Sequence, residues 1–124
     1  MDKSLVITGG ALLLVALSGC GGVSEMTRQQ VARSETAVQQ AQGAIGNSEA
    51  GAVELQQAKE RFAQAQQAVE KKDEQQAQRL AVMAELDAQL AVAKSQSAGA
   101  RKAADELLAS IRTLREEAER NSSR

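Results

Sequence analysis

The single cysteine, Cys20, is the residue whose type and position most clearly indicate chemistry. It directly follows Leu17, Ser18 and Gly19, which end a mainly apolar run that begins at Leu5 and is preceded by one lysine. The run is shorter than the roughly 20 apolar residues that a spanning helix needs, and it has the length of a signal-peptide core. Small residues before the cysteine fit a narrow peptidase cleft. We therefore predict a signal peptide that is cleaved at this point.

The segment Leu17-Ser18-Gly19-Cys20 resembles the lipobox of bacterial lipoproteins. In that family a diacylglyceryl group is attached to the cysteine sulfur, the preceding peptide is removed and the new amino group is acylated. The resemblance implies a signal peptide over residues 1–19, palmitate-type lipidation of Cys20 and a lipidated tether over residues 20–24. Three acyl chains would hold the protein on a membrane far more firmly than one chain. A plain signal peptide with an unrelated cysteine is the alternative.

The residue after the cysteine indicates a destination. In Gram-negative lipoproteins an aspartate there tends to retain the protein in the inner membrane, and this chain has Gly21 instead. The resemblance therefore implies attachment to the periplasmic face of the outer membrane.

The composition argues against several classes of function. The chain has 124 residues, with 15 basic and 16 acidic side chains interspersed, and it contains no histidine, tryptophan or tyrosine. Without histidine, and with Cys20 lipidated, the usual metal ligands and nucleophile–base pairs are missing. No basic stripe points to nucleic acid. We expect no catalytic residue, no metal, no cofactor and no enzymatic activity.

Two helices of similar length are predicted after the tether. The first runs from about Glu25 to Ile45 with Ser24 as its N-cap, and the second from about Ala50 to Lys72. The segment Gly46-Asn47-Ser48 ends the first helix with a left-handed glycine and caps the second. Each helix carries an apolar stripe at spacings of three and four, which indicates one buried face. The stripe residues are Val31, Ser34, Val38, Ala41 and Ile45, then Leu55, Ala58, Phe62, Ala65 and Val69.

A third, longer helix is predicted from about Glu74 to Arg120, with Asp73 as its cap. The turn at Lys72–Asp73 is short enough to pair the second and third helices antiparallel. A stripe with a seven-residue period predicts coiled-coil-like packing, and Leu80 departs from its phase. The stripe consists of Met83, Leu86, Leu90, Ala93, Ser97, Ala100, Ala104, Leu107, Ile111, Leu114 and Ala118.

These elements predict an all-α fold, an antiparallel bundle of three helices over residues 25–121 with a long last helix and a frayed tail over 122–124. The weak segment Lys94–Gly99 leaves an alternative, because a bend there would give a four-helix up-down bundle. The stripes have two interpretations. Either they form the internal core throughout, or the face made by Leu107, Ile111 and Leu114 is a docking surface.

The stretch from about Val31 to Ala104 resembles an uncharacterised family of small, alanine-rich helical lipoproteins of bacteria. The resemblance is carried by Leu55-x-x-Ala58-x-x-x-Phe62-x-x-Ala65 and by Asp73-x-x-x-Ala77 leading into Leu80-Ala81. Members occur alone or ahead of an OmpA-like domain. The family implies an envelope location and no catalytic residue.

Together these features predict a non-enzymatic outer-membrane lipoprotein with a periplasmic helical module that contacts another cell-envelope component. One alternative is a self-associating coiled-coil spacer. Another is a module that binds peptidoglycan or an amphiphile.

Overall fold

The computed structural model describes residues 21–124, which form three helices. Helix α1 spans Glu25–Ile45, α2 spans Ala52–Glu70 and α3 spans Glu74–Ser122. With 49 residues, α3 is about 73 Å long at 1.5 Å per residue. The predicted all-α fold with a long last helix is confirmed. The four-helix alternative is wrong, because α3 continues without a break through Lys94–Gly99, where no proline removes a backbone donor.

Side-chain caps define where two helices begin. The Ser24 hydroxyl accepts a hydrogen bond from the Thr27 backbone N–H at the start of α1, and the Asp73 carboxylate accepts one from the Gln76 backbone N–H at the start of α3. Both caps were predicted. They satisfy backbone donors that have no partner within the first turn of a helix.

The connection from α2 to α3 is three residues long and closes the end of α2. The Lys72 backbone N–H donates to the Val69 carbonyl, and the Asp73 N–H donates to the Ala68 carbonyl, which is the Schellman pattern. Lys72 adopts a φ of +58°, the left-handed conformation in which glycine is usual. The two lysines predicted for the last turn of α2 therefore lie in the turn itself.

The connection from α1 to α2 differs from the prediction. Gly46 has the expected positive φ, but neither Asn47 nor Ser48 caps α2. The N-cap is Gly51, with a φ of +87°. A Cβ atom added at Gly51 would lie 2.2 Å from the Ala91 carbonyl oxygen, so α2 begins in direct backbone contact with α3. Only glycine combines this φ with this approach.

Polar contacts show how the helices run. Arg61 pairs with Asp87 and Glu54 with Lys94, so α2 lies antiparallel to α3. On α1, Thr27 donates to Glu74, and Gln30 donates to Glu85 over 2.8 Å, so α1 runs parallel to α3. Helix α3 thus packs against both of the shorter helices along its first half.

The core is built largely from alanine. The predicted stripes of α1 and α2 face inward: Ser34, Val38, Ala41, Ile45, Ala58 and Ala65 are buried, and Val31, Leu55, Phe62 and Val69 are half-buried. In α3 the predicted face is wrong. The buried residues are Ala77, Leu80, Ala81, Ala84, Ala88 and Ala91.

The reason for this difference is the close approach of α3 to its two neighbours. Small side chains allow helix axes to come closer than leucines do, since interaxial distance depends on the side chains at the contact. The alanines of α3 recur at spacings of four and three, as do its larger residues, so the two faces have the same period. Leu80, which departs from the predicted stripe, belongs to the alanine face.

A polar junction joins the starts of α1 and α3. The Glu74 carboxylate accepts hydrogen bonds from the Ser24 hydroxyl and, over 2.9 Å, from the buried Thr27 hydroxyl. These bonds lower the pKa of Glu74, the Ser24 bond most. Val23 is only 6% exposed, so the predicted tether is shorter than expected and its last apolar residue packs against the bundle.

We predict opposite effects for alanine at two glycines. Gly51→Ala introduces both the clash with Ala91 and a strained φ, and should lower the free energy of unfolding by more than about 1 kcal/mol. Gly43→Ala, in α1 with no atom near the new Cβ, should raise it by about 0.5–1 kcal/mol. Urea unfolding followed by circular dichroism measures both. Equal effects would refute the close approach.

A second prediction concerns acid. Because the folded pKa of Glu74 lies below its ordinary value of 4.5, the ionised carboxylate stabilises the fold above that pH. This stabilisation is lost as the pH falls through the folded pKa. Glu74→Gln should therefore be less stable than the wild type at pH 7, with the difference shrinking as the pH falls below 4.5 and through the lower folded pKa. Glu117→Gln, on an exposed part of α3, is the control. A difference that does not depend on pH would contradict the prediction.

Candidate interaction surface

The larger apolar side chains of α3 lie on its outer face. Leu86 is 57% exposed and Leu90 is 47% exposed, although both lie in the half of α3 that packs against α1 and α2. Further along, Leu107 and Leu114 are 62% and 61% exposed. We call the whole stripe the outer seam: Met83, Leu86, Leu90, Ala93, Ser97, Ala100, Ala104, Leu107, Ile111, Leu114 and Ala118.

The second half of α3 extends beyond the bundle. Every residue from 100 to 124 is exposed, and the last buried residue of α3 is Ala91. We call residues 100–122 the overhang. It contains four large apolar side chains on or beside the outer seam, Leu107, Leu108, Ile111 and Leu114. An exposed apolar stripe of this length is a common mark of a protein-interaction surface.

The leucines of the outer seam stay exposed because the polar side chains of α1 and α2 contact other residues of α3. Arg61 and Glu54 of α2 pair with Asp87 and Lys94, which lie beside the seam. The bond from Lys94 lowers the pKa of Glu54, which stays ionised at neutral pH. On the α1 side, Glu85 accepts from Gln30. The leucines of the seam are exposed, whereas Ala93 lines a groove beside α1 and Ser97 borders a hollow at the start of α2.

A groove of about 600 Å³ lies between α1 and α3. Its apolar part is formed by four alanines and one valine: Ala32, Ala37, Ala88, Ala93 and Val92. Alanine methyls offer little surface to an apolar ligand, since burial stabilises in proportion to area. The outer seam, with its leucines, is therefore the stronger candidate surface.

Other kinds of site are not evident in residues 21–124. Within this range, no cluster of three or more aspartates, glutamates, histidines or cysteines has the arrangement of a metal site. None of the three helices combines the length and apolarity that crossing a membrane requires.

The sequence-predicted site residues have different outcomes. Leu107, Ile111 and Leu114 are exposed on one face of the overhang, so the interpretation of this stripe as internal core is wrong. The lipobox Leu17-Ser18-Gly19-Cys20 lies outside the described residues, so its lipidation stays a prediction.

Sequence reasoning missed that the seam continues over the bundle. The apolar pattern alone predicts that Met83, Leu86 and Leu90 are core residues, yet they extend the exposed face of the overhang toward the start of α3. The signal was present: Ala77, Ala81, Ala84, Ala88 and Ala91 form a second stripe with the same alternation of four and three. Two apolar stripes on one helix indicate two faces that are suited to packing.

The comparisons with known proteins agree with the resemblance at the level of the domain. No curated protein and no solved structure matches the chain. One family model, Domain of unknown function (DUF4398), matches residues 29–107, from the first turns of α1 to Leu107 in the overhang. The match covers more than half of the 124 residues. The chain therefore belongs to this DUF4398 family.

Proposed function

We propose that this protein is a non-enzymatic lipoprotein of the outer membrane, whose periplasmic helical module binds a partner in the cell envelope through α3. The observation that carries the proposal is the overhang, an uncovered length of helix with a leucine-rich stripe. A helix segment that extends into solvent and binds nothing is normally polar on every face.

The fold gives this surface a direction relative to the proposed anchor. Cys20 directly precedes the described residues, and α1 begins beside the start of α3, where Ser24 and Thr27 bond to Glu74. A lipid on Cys20 would hold that end at the membrane. The far end of α3 would then lie up to about 73 Å away.

The sequence around the anchor supports the remaining parts of the proposal. Gly21, in place of aspartate, favours the outer membrane. The partner is either another envelope component or a second copy of the chain, and both use the same exposed face.

The anchor is tested by Cys20→Ala. Without the thiol that receives the lipid, the protein should keep its signal peptide, take up no labelled palmitate and leave the outer-membrane fraction. Gly21→Asp is the matched control, because it should be cleaved and labelled but retained in the inner membrane. Normal processing and labelling of Cys20→Ala would disprove lipidation at this residue.

The interaction is tested by photocrosslinking in living cells from positions Leu107, Ile111 and Leu114, with adducts identified by mass spectrometry. We expect adducts from these positions and none from Ala109, which is exposed on the opposite side of the overhang. Absence of adducts from all three positions would remove the interaction module from the proposal, whatever the outcome of the Cys20 experiment.

A further inference from the structure

We infer that the partner on the outer seam is a second copy of this chain, packed along α3 as a parallel two-stranded coiled coil from Met83 to Ala118. The inference rests on the proposed function in one respect, the lipid anchor. Two chains anchored in the same membrane have their α3 helices in the same orientation. The inference goes beyond that function by naming the occupant of the seam and its orientation.

The seam has the heptad pattern of a coiled coil over its whole length. Positions a are Met83, Leu90, Ser97, Ala104, Ile111 and Ala118, and positions d are Leu86, Ala93, Ala100, Leu107 and Leu114. Leucine at d, with a β-branched residue such as Ile111 at a, favours two parallel strands. In a parallel pair each seam residue packs against the same residue of the second chain. Large side chains therefore pack together toward both ends of the seam, and small side chains pack together in its middle.

The large side chains of the seam are exposed and free to pack, and only its small residues Ala93 and Ser97 border hollows beside α1 and the start of α2. At 100° per residue, the centre of the seam lies roughly opposite the alanine face of Ala81, Ala84 and Ala88, which α1 and α2 cover. The seam from Met83 to Ala118 is about 54 Å long. Two bundles could therefore lie on opposite outer sides of one central pair of α3 helices.

Flanking charges favour the parallel arrangement. In a parallel pair, each charged residue at position e faces an uncharged residue at position g of the second copy: Asp87 faces Val82, Lys94 faces Gln89, Arg101 faces Gln96 and Arg115 faces Ser110. The fully overlapped antiparallel pair instead places Lys94 next to Arg101 of the other copy, at two symmetric points. Like charges in contact oppose that arrangement.

The polar residues within the seam also favour the parallel arrangement. Ser97 meets Ser97 in a parallel pair, whereas in the antiparallel pair it faces the methyl group of Ala100. Asn121 occupies the next d position after Ala118 and would likewise meet its own copy. Matched polar residues in a seam fix register and orientation.

Site-directed disulfide formation tests this inference on the full-length chain in its own membranes. Leu107→Cys and Leu86→Cys each place a thiol at a d position, where a parallel pair brings identical residues within reach of a disulfide. Mild oxidation should convert each variant to a species of twice the chain mass. The wild type, whose single cysteine is Cys20, and Ala109→Cys should form no disulfide-linked dimer.

A second pair of variants separates seam packing from chance collision. Ile111→Glu combined with Leu107→Cys should lose the disulfide-linked dimer, because a charge enters the seam. Thr113→Glu, on an exposed side of the overhang, should leave the dimer unchanged. All of these positions are exposed on α3, so the variants should fold. Circular dichroism of the purified proteins checks this.

Three outcomes would overturn the inference. The first is no dimer from either leucine position, and the second is equal dimer from Ala109→Cys. The third is a disulfide that joins Leu90→Cys only to Leu107→Cys, which would indicate an antiparallel pair. If photocrosslinking from Leu107 gives an adduct with a different protein while no self-disulfide forms, the proposed function stands and the second copy is rejected.

Discussion

The close approach of α3 to both shorter helices is the constraint on which the rest of the structure depends. It is made by buried alanines, of which Ala58, Ala65, Ala81 and Ala84 have no exposed surface, and by the backbone contact between Gly51 and Ala91. Each methyl group buries little area, so such a core gains less from burial than a leucine core. The bundle adds polar contacts at its edges, including the Arg61–Asp87 pair and the junction at Glu74. A core this thin has no room for the larger side chains of α3.

Those larger side chains consequently lie on the opposite face, where they form a continuous stripe with the overhang. The same helix therefore has two apolar faces of equal period, one small and internal, the other large and external. A face filled by alanine suits close packing within a chain, because its helices are already held together by short connections. A face that carries leucine at Leu86, Leu107 and Leu114 offers more area for each residue, which an association between separate chains needs in order to offset its loss of freedom.

Much of the fold could be predicted from local signals in the sequence. Ser24 and Asp73 marked helix starts, and the short turn at Lys72 indicated antiparallel pairing of the second and third helices. What failed was the choice of face in α3. Periodicity identifies which residues share a face but not which partner covers it, and hydrophobicity alone ranks leucine above alanine. The exposed candidate surface could be predicted only for Leu107, Ile111 and Leu114. Its extension to Met83 depends on how closely three helices pack.

The parallel arrangement of α1 and α3 has a mechanical consequence. If the start of α1 is fixed and the far end of α3 is pulled, the load acts along the α1–α3 interface and slides one helix past the other. Contacts such as Gln30–Glu85 and Thr27–Glu74 then share the load in shear, instead of opening one after another as in unzipping. The same three helices pulled from the turn at Lys72 would separate sequentially. The chain is thus built to resist tension best along the axis from the start of α1 to the tip of α3.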